Sequence, residues 1–249
     1  MRFGRTSNPV LSRQRFDNMQ ALDQVQTEPM TLNGTINKTM LLFLALLITG
    51  GIAWKLTMSG TFNPQILIWG GAIGGLILAL ITVFKPKNAP ITAPLYAAFE
   101  GLFVGSISAL YNTFFNGIVI QAVGLTIAIL FVMLILYRTG IIKATPKFKK
   151  GVLIATGGIA LFYIMNLIFS MFGGGINFFS LGWLGIGISL FIVVIASLNL
   201  VLDFDMIETS VQSGQPKYVE WYAGFGIMVT LIWLYLEILR LLALLASRN

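Results

Sequence analysis

The chain alternates long apolar runs with short polar breaks, and seven of the runs reach the roughly 20 residues that a helix needs to cross a bilayer. They cover residues 40–58, 64–84, 94–112, 118–137, 151–172, 181–202 and about 219–246. Asn63-Pro64 supplies an N-cap with proline at the first helical position, and Thr92 stands ahead of Pro94 in a similar way. The last run is long for a bilayer, which predicts tilt or an interfacial first turn. Residues 1–39 contain no such run. They read as a polar, retained cytoplasmic tail ahead of a membrane domain at 40–249, because a cleaved signal peptide would carry its apolar core much nearer the start. Within the tail, residues 6–11 (Thr-Ser-Asn-Pro-Val-Leu) are a candidate for local order, and the rest is too polar to bury itself.

Polar and small residues inside the runs predict which faces meet. Gly70, Gly71, Gly74 and Gly75 form two overlapping small-xxx-small pairs, and Ala97, Gly101 and Gly105 form another, the spacing of close helix packing. Gly173-Gly174-Gly175 reads as an external turn. In span seven, Ala223, Gly226, Thr230, Trp233, Glu237, Arg240 and Ser247 fall on one face, interrupted only by Leu244. So long a polar stripe predicts a helix surrounded by others. Span five adds Thr156, Tyr163, Asn166 and Ser170 at compatible spacing, and the two faces together could line a polar path.

Composition agrees: 57% of residues are hydrophobic and 10% are charged, against roughly a quarter charged in an ordinary soluble domain. The fold class is therefore an all-α integral membrane protein of seven transmembrane helices, with the last one central. The basic residues orient it. Lys85 and Lys87 lie between spans two and three, and Arg138, Lys143, Lys147, Lys149 and Lys150 between four and five. Arg2, Arg5, Arg13, Arg15 and Lys38 lie in the tail. The positive-inside rule then makes the tail and the even-numbered loops cytoplasmic and leaves the C-terminus outside. Lys55 and Arg248 dissent, each at a span end where a long side chain can snorkel. The net charge of +7 is a topological signal. Its expected partner is the lipid bilayer, whose anionic headgroups attract such loops by about 1 kcal/mol per basic residue, and no nucleic acid is expected.

The chain has neither cysteine nor histidine. That excludes disulfides, thiolate or imidazole metal sites and every Ser-His or Cys-His mechanism. A pH response must therefore come from carboxylates. Glu237 is the foremost of these, set in one of the most apolar stretches of the chain with Arg240 three residues on. A charge at that depth costs on the order of 3 kcal/mol on insertion scales and defaults to a functional hypothesis. The bland reading is a self-neutralising pair on one helix. Glu100, deep in span three without a cation within a turn on its own span, divides evenly between a functional and a structural role. Asp203, Asp205 and Glu208 follow span six; they are gate candidates or ordinary interfacial acids at a helix end, where the dipole disfavours them.

The segment from Leu202 through Asp203-Phe204-Asp205-Met206-Ile207, followed by Trp233-Leu234-Tyr235-Leu236-Glu237-Ile238-Leu239-Arg240, resembles the last two helices of the Bax inhibitor-1 (transmembrane Bax inhibitor motif) family. The likeness is nearest to its prokaryotic YccA-like branch. Gly34-Thr35-Ile36-Asn37-Lys38-Thr39, Phe99-Glu100-Gly101 and Glu220-Trp221-Tyr222 add to it. The resemblance covers essentially the whole chain and implies a seven-helix bundle acting as a pH-sensitive calcium leak. It further implies that one acid on the sixth helix, here Asp203, and one on the seventh, here Glu237, share a proton and gate the pore. The second acid is Glu where the better-known branch commonly has Asp, and Arg240 stands where that branch is often neutral. Measured from the loop at 212–217, Glu237 lies deeper than Asp203 by on the order of 15 Å at the helical rise. Direct contact therefore requires a break, a shift or an intervening group.

The leading expectation is a cation conduit whose gating and ion-pathway residues are Asp203, Glu237, Asp205, Arg240 and Glu100. Ca²⁺ takes oxygen ligands, which makes Asp203 and Glu237 candidate calcium-contacting groups. Two acids held close cannot both ionise cheaply, and losing the proton would create repulsion or a cation site that opens the path. The alternative is a non-conducting regulator that binds another membrane protein, such as a quality-control protease, through its tail and small-residue faces. Under that alternative, deleting residues 1–30 should abolish partner binding and leave a leak intact. No enzyme is expected. The Gly-x-Gly-Asp of intramembrane aspartyl proteases, a span-seven lysine for retinal, a metal-ligand cluster and a Gly-x-Ser-x-Gly elbow are all missing. No resident cofactor is expected, with calcium entering only as a transported ion.

Overall fold

The computed structural model describes residues 28–248. The tail arginines Arg2, Arg5, Arg13 and Arg15 and the segment at 6–11 lie outside the described residues. Seven helices run in sequence: α1 (Leu32–Met58), α2 (Pro64–Phe84), α3 (Ala89–Phe114), α4 (Ile118–Arg138), α5 (Pro146–Met171), α6 (Trp183–Gln212) and α7 (Val219–Ala246). All seven are long and apolar enough to span a membrane, and among the described residues there is no strand, so the all-α expectation holds.

The helices depart from the hydropathy boundaries at several ends, by one or two residues at some of them and by more where a local reason applies. α1 begins at Leu32, well before 40, because Thr31 caps it by accepting from the Gly34 amide at 2.9 Å. The motif at 34–39 is thus helical, and the polar tail stops short of it. α3 begins at Ala89 with Pro90 in its first turn, which leaves Pro94 inside the helix. Thr92 then bonds sideways, accepting from the Thr82 hydroxyl at 2.7 Å and tying α3 to α2. α5 starts at Pro146 behind the Thr145 cap, and α6 opens at Trp183 after Gly182, whose φ of 59° lies in the left-handed region. α6 also runs on to Gln212, ten residues past the expected end at 202. Asp203, Asp205 and Glu208 therefore sit within a helix. Span seven matches its predicted bounds.

α7 is the most enclosed helix and α5 the least. It packs against α1, α3, α4 and α6, burying Met228, Leu234, Ile238 and Leu239 almost completely. The outer helices turn large apolar side chains outward, among them Ile73 and Ile77 of α2, Phe131 of α4 and Leu161 of α5, where lipid is their solvent. The small-residue faces close the bundle. A Cβ at Gly101 would stand 1.9 Å from Thr49 Oγ1, and one at Gly105 2.2 Å from the Gly50 carbonyl, so α1 and α3 touch backbone to backbone. Gly71 and Gly75 meet α3 similarly, whereas Gly70 faces open space.

Candidate functional site

Two polar centres lie along α7. The inner one surrounds a cavity of about 650 Å³ bounded by α2, α3, α6 and α7 and lined by Glu100, Asp203, Tyr96, Gly226 and Thr230, with Leu76 among its apolar walls. Asp203 comes from the middle of α6. It lies beside the Thr230 hydroxyl, with Oδ1 in ordinary contact range of Gly226 on α7. Asp203 Oδ2 is buried without a hydrogen-bond partner. Across the cavity, the Glu100 carboxylate lies over Gly75, where a Cβ would come within 2.7 Å of Oε1. Among the described residues no cation pairs with either acid. Each sits about ten residues from one end of its helix, on the order of 15 Å along the helix axis.

The outer centre is built on Glu237. Its Oε1 accepts from Tyr163 Oη of α5 at 2.7 Å and from Trp233 Nε1 at 3.2 Å, while Oε2 pairs with Arg240. Arg240 also donates to Tyr163 Oη at 2.5 Å and lies 4.3 Å from the ring centre of Phe178, which comes from the loop ahead of α6. This cluster closes the bundle between α5, α7 and that loop.

The Asp203–Glu237 dyad is corrected by this arrangement. Asp203 lies level with Thr230, and Glu237 stands seven residues farther along α7, about 10 Å in helical rise. No hydrogen bond joins them, and Glu237 is neutralised by Arg240 instead. Asp205, two residues from Asp203 and so about 200° around the helix, points away from the cavity and pairs with Lys149 of α5. Glu208 accepts from Tyr137 Oη at 2.5 Å. The span-five stripe divides: Thr156 accepts from Asn199 at 2.8 Å and Tyr163 holds Glu237, while Asn166 pins the loop between α5 and α6 at Ile176.

One buried acid escaped the sequence reading. Glu220, in the first turn of α7, is 1% exposed, and its Oε1 accepts from both the amide and the hydroxyl of Thr31 at 3.0 Å. Its place at a helix start is an ordinary dipole signal, and nothing local could reveal a partner 189 residues away. Among the described residues no cluster of metal-ligating side chains occurs.

Seven apolar spans, α7 the most enclosed of them, with carboxylates buried between the helices, define a multi-pass membrane protein with an ionisable interior. The chain belongs to the Bax inhibitor-1 family: residues 8–247 match the family described as Bax inhibitor 1 like. Comparison with curated proteins gives no match.

Proposed function

We propose that the protein is a pH-sensitive leak for cations, calcium foremost, gated by buried carboxylates. We place it in the prokaryotic YccA-like branch and in the inner membrane, with its N-terminus cytoplasmic. The observation behind this reading is the cavity between α2, α3, α6 and α7, where Asp203 and Glu100, with no cationic partner among the described residues, offer oxygen ligands of the kind Ca²⁺ takes. Intramembrane acids without cationic partners are costly, and ion pathways are a recurrent reason for keeping them.

In this reading a cation entering from the cytoplasmic end meets Asp203 and Glu100 in turn. The outer Glu237–Arg240–Tyr163 cluster is the closed exit and must part for passage. With no histidine in the chain, protons act on the carboxylates themselves. A protonated Asp203 presents no charge to a cation, and an ionised one does. The shared-proton pair is thereby replaced by Asp203 and Glu100 as the charge-bearing step, with Glu237 assigned to the exit.

Purified protein in liposomes tests this. Asp203→Asn and Glu100→Gln should lower calcium flux and flatten its pH dependence. Asp203→Asn and Glu237→Gln proteins that leak at unchanged rate and pH dependence would reject it. A parent protein without flux at any pH would instead favour a regulator of another membrane protein, such as a quality-control protease.

A further inference from the structure

The chain entering α1 is bound to the start of α7 by a set of contacts that the leak reading does not use. Met30 is 2% exposed and its amide donates to the Gln215 carbonyl at 2.7 Å. Pro29 forms an antiparallel bridge with Pro216, and Glu28 pairs with Lys217. At the centre stands Glu220. Thr31 caps α1 by accepting from Gly34 and turns its own amide and hydroxyl onto Glu220 Oε1. One carboxylate thus occupies the N-terminal ends of both α1 and α7, where two helix dipoles favour negative charge. Gly34 is required by this arrangement, since a Cβ there would stand 2.0 Å from Oε1. Lys38 approaches Oε2 at 3.9 Å and lies over the Trp221 ring.

We infer that residues 28–31 and the first turns of α1 form a cytoplasmic strap that positions α7 through Glu220, and that releasing the strap lets α7 move and widens the cavity lined by Asp203 and Glu100. The link is short. Glu220 lies six residues before Gly226 and ten before Thr230 on one helix, about 9–15 Å. Between them Gly224 packs against Thr39 of α1, 2.9 Å from its hydroxyl to the position of a Cβ. A strap that shifts the first turns of α7 therefore shifts the wall facing Asp203. The clamp stands on geometry alone, and its effect on ion flow rests on the leak reading.

The test uses the full chain, whose lack of cysteine makes introduced thiols unique. Val229→Cys places one thiol on the cavity wall, and its labelling by a water-soluble thiol reagent is followed in liposomes. Adding Gly34→Ala or Thr31→Val should speed labelling about tenfold, the population shift expected from losing a hydrogen bond to a charged group. Circular dichroism checks that the fold is retained. Separately, Pro29→Cys with Pro216→Cys locks the strap on oxidation, which should lower calcium flux reversibly on reduction. If Gly34→Ala fails to fold, Thr31→Val decides. Labelling that is unchanged in a folded Thr31→Val protein overturns the strap, whatever the flux does. Labelling that responds while no protein leaks leaves the strap standing and sinks the leak.

Discussion

Replacing Glu237 by Gln separates the two ways in which this acid could be neutralised inside the membrane. Glutamine keeps an acceptor for Tyr163 and Trp233 but removes the charge facing Arg240. The two side chains are 5% and 17% exposed, so the pair is buried enough that breaking it falls in the class costing about 3–5 kcal/mol. Arg240 retains the Tyr163 hydroxyl and the Phe178 face, the latter worth about 2 kcal/mol when desolvated. The expected loss is therefore at the low end, about 3 kcal/mol. Equilibrium unfolding in detergent micelles measures it. Combining Glu237→Gln with Arg240→Gln should recover about 2 kcal/mol or more of the summed single losses, whereas Glu237→Gln with Asp203→Asn should add within about 0.5 kcal/mol, because those residues share no partner. A Glu237→Gln cost below about 1 kcal/mol, with coupling above about 1 kcal/mol to Asp203→Asn, would refute the local pair and restore the two-acid dyad.

Tyr163→Phe removes the hydroxyl that bridges Glu237 and Arg240 and should cost about 1–3 kcal/mol in the same unfolding measurement. Gly101→Ala, whose Cβ would collide with Thr49 and the Leu46 carbonyl, should lose about 1–3 kcal/mol; Gly70→Ala, facing open space, should be neutral or slightly stabilising, as the thermal midpoints will show. At the strap, the hydrogen bond and charge of Lys217 hold the Glu28 carboxyl below its usual 4.5. A depressed folded value means the contribution is present above about pH 4.5 and is lost as pH falls through the folded value. Labelling of a Met30→Cys thiol, which is buried with the strap in place, should accordingly rise in acid relative to a fully exposed thiol labelled at the same pH, and Glu28→Gln should flatten that rise. Because residues 28–30 belong to the strap, deleting 1–30 would disturb the leak as well as any partner binding; deleting 1–27 is the informative cut, and unchanged flux is the expected result.

Much of the architecture was legible along the chain because lipid imposes a length and a composition on each span. The runs at 64–84 and about 219–246 matched their helices, and the long polar stripe of span seven marked α7 as enclosed. Misjudged ends came from helices that outlast the hydrocarbon. α6 continues to Gln212 on polar residues that hydropathy reads as loop, and α1 starts at a threonine cap inside the polar tail. The Glu237–Arg240 pair could be read from a spacing of three. Its third member, Tyr163, carried only a periodicity signal until α5 was placed beside α7.

The amino-acid sequence by itself determined the class of protein, the seven spans, the polar face of α7 and the presence of acids within apolar runs, since these follow from local hydrophobicity and helical period. Which acids meet was decided only by tertiary structure. Asp203 and Asp205 are two residues apart yet face a cavity and a lysine respectively, while Asp203 and Glu100 come from separate helices to line one space. Glu220 and Thr31 meet across almost the whole chain. Partner choice between helices depends on crossing, rotation and axial offset, which the close approaches at Gly34, Gly75, Gly101 and Gly105 set and which no local period records.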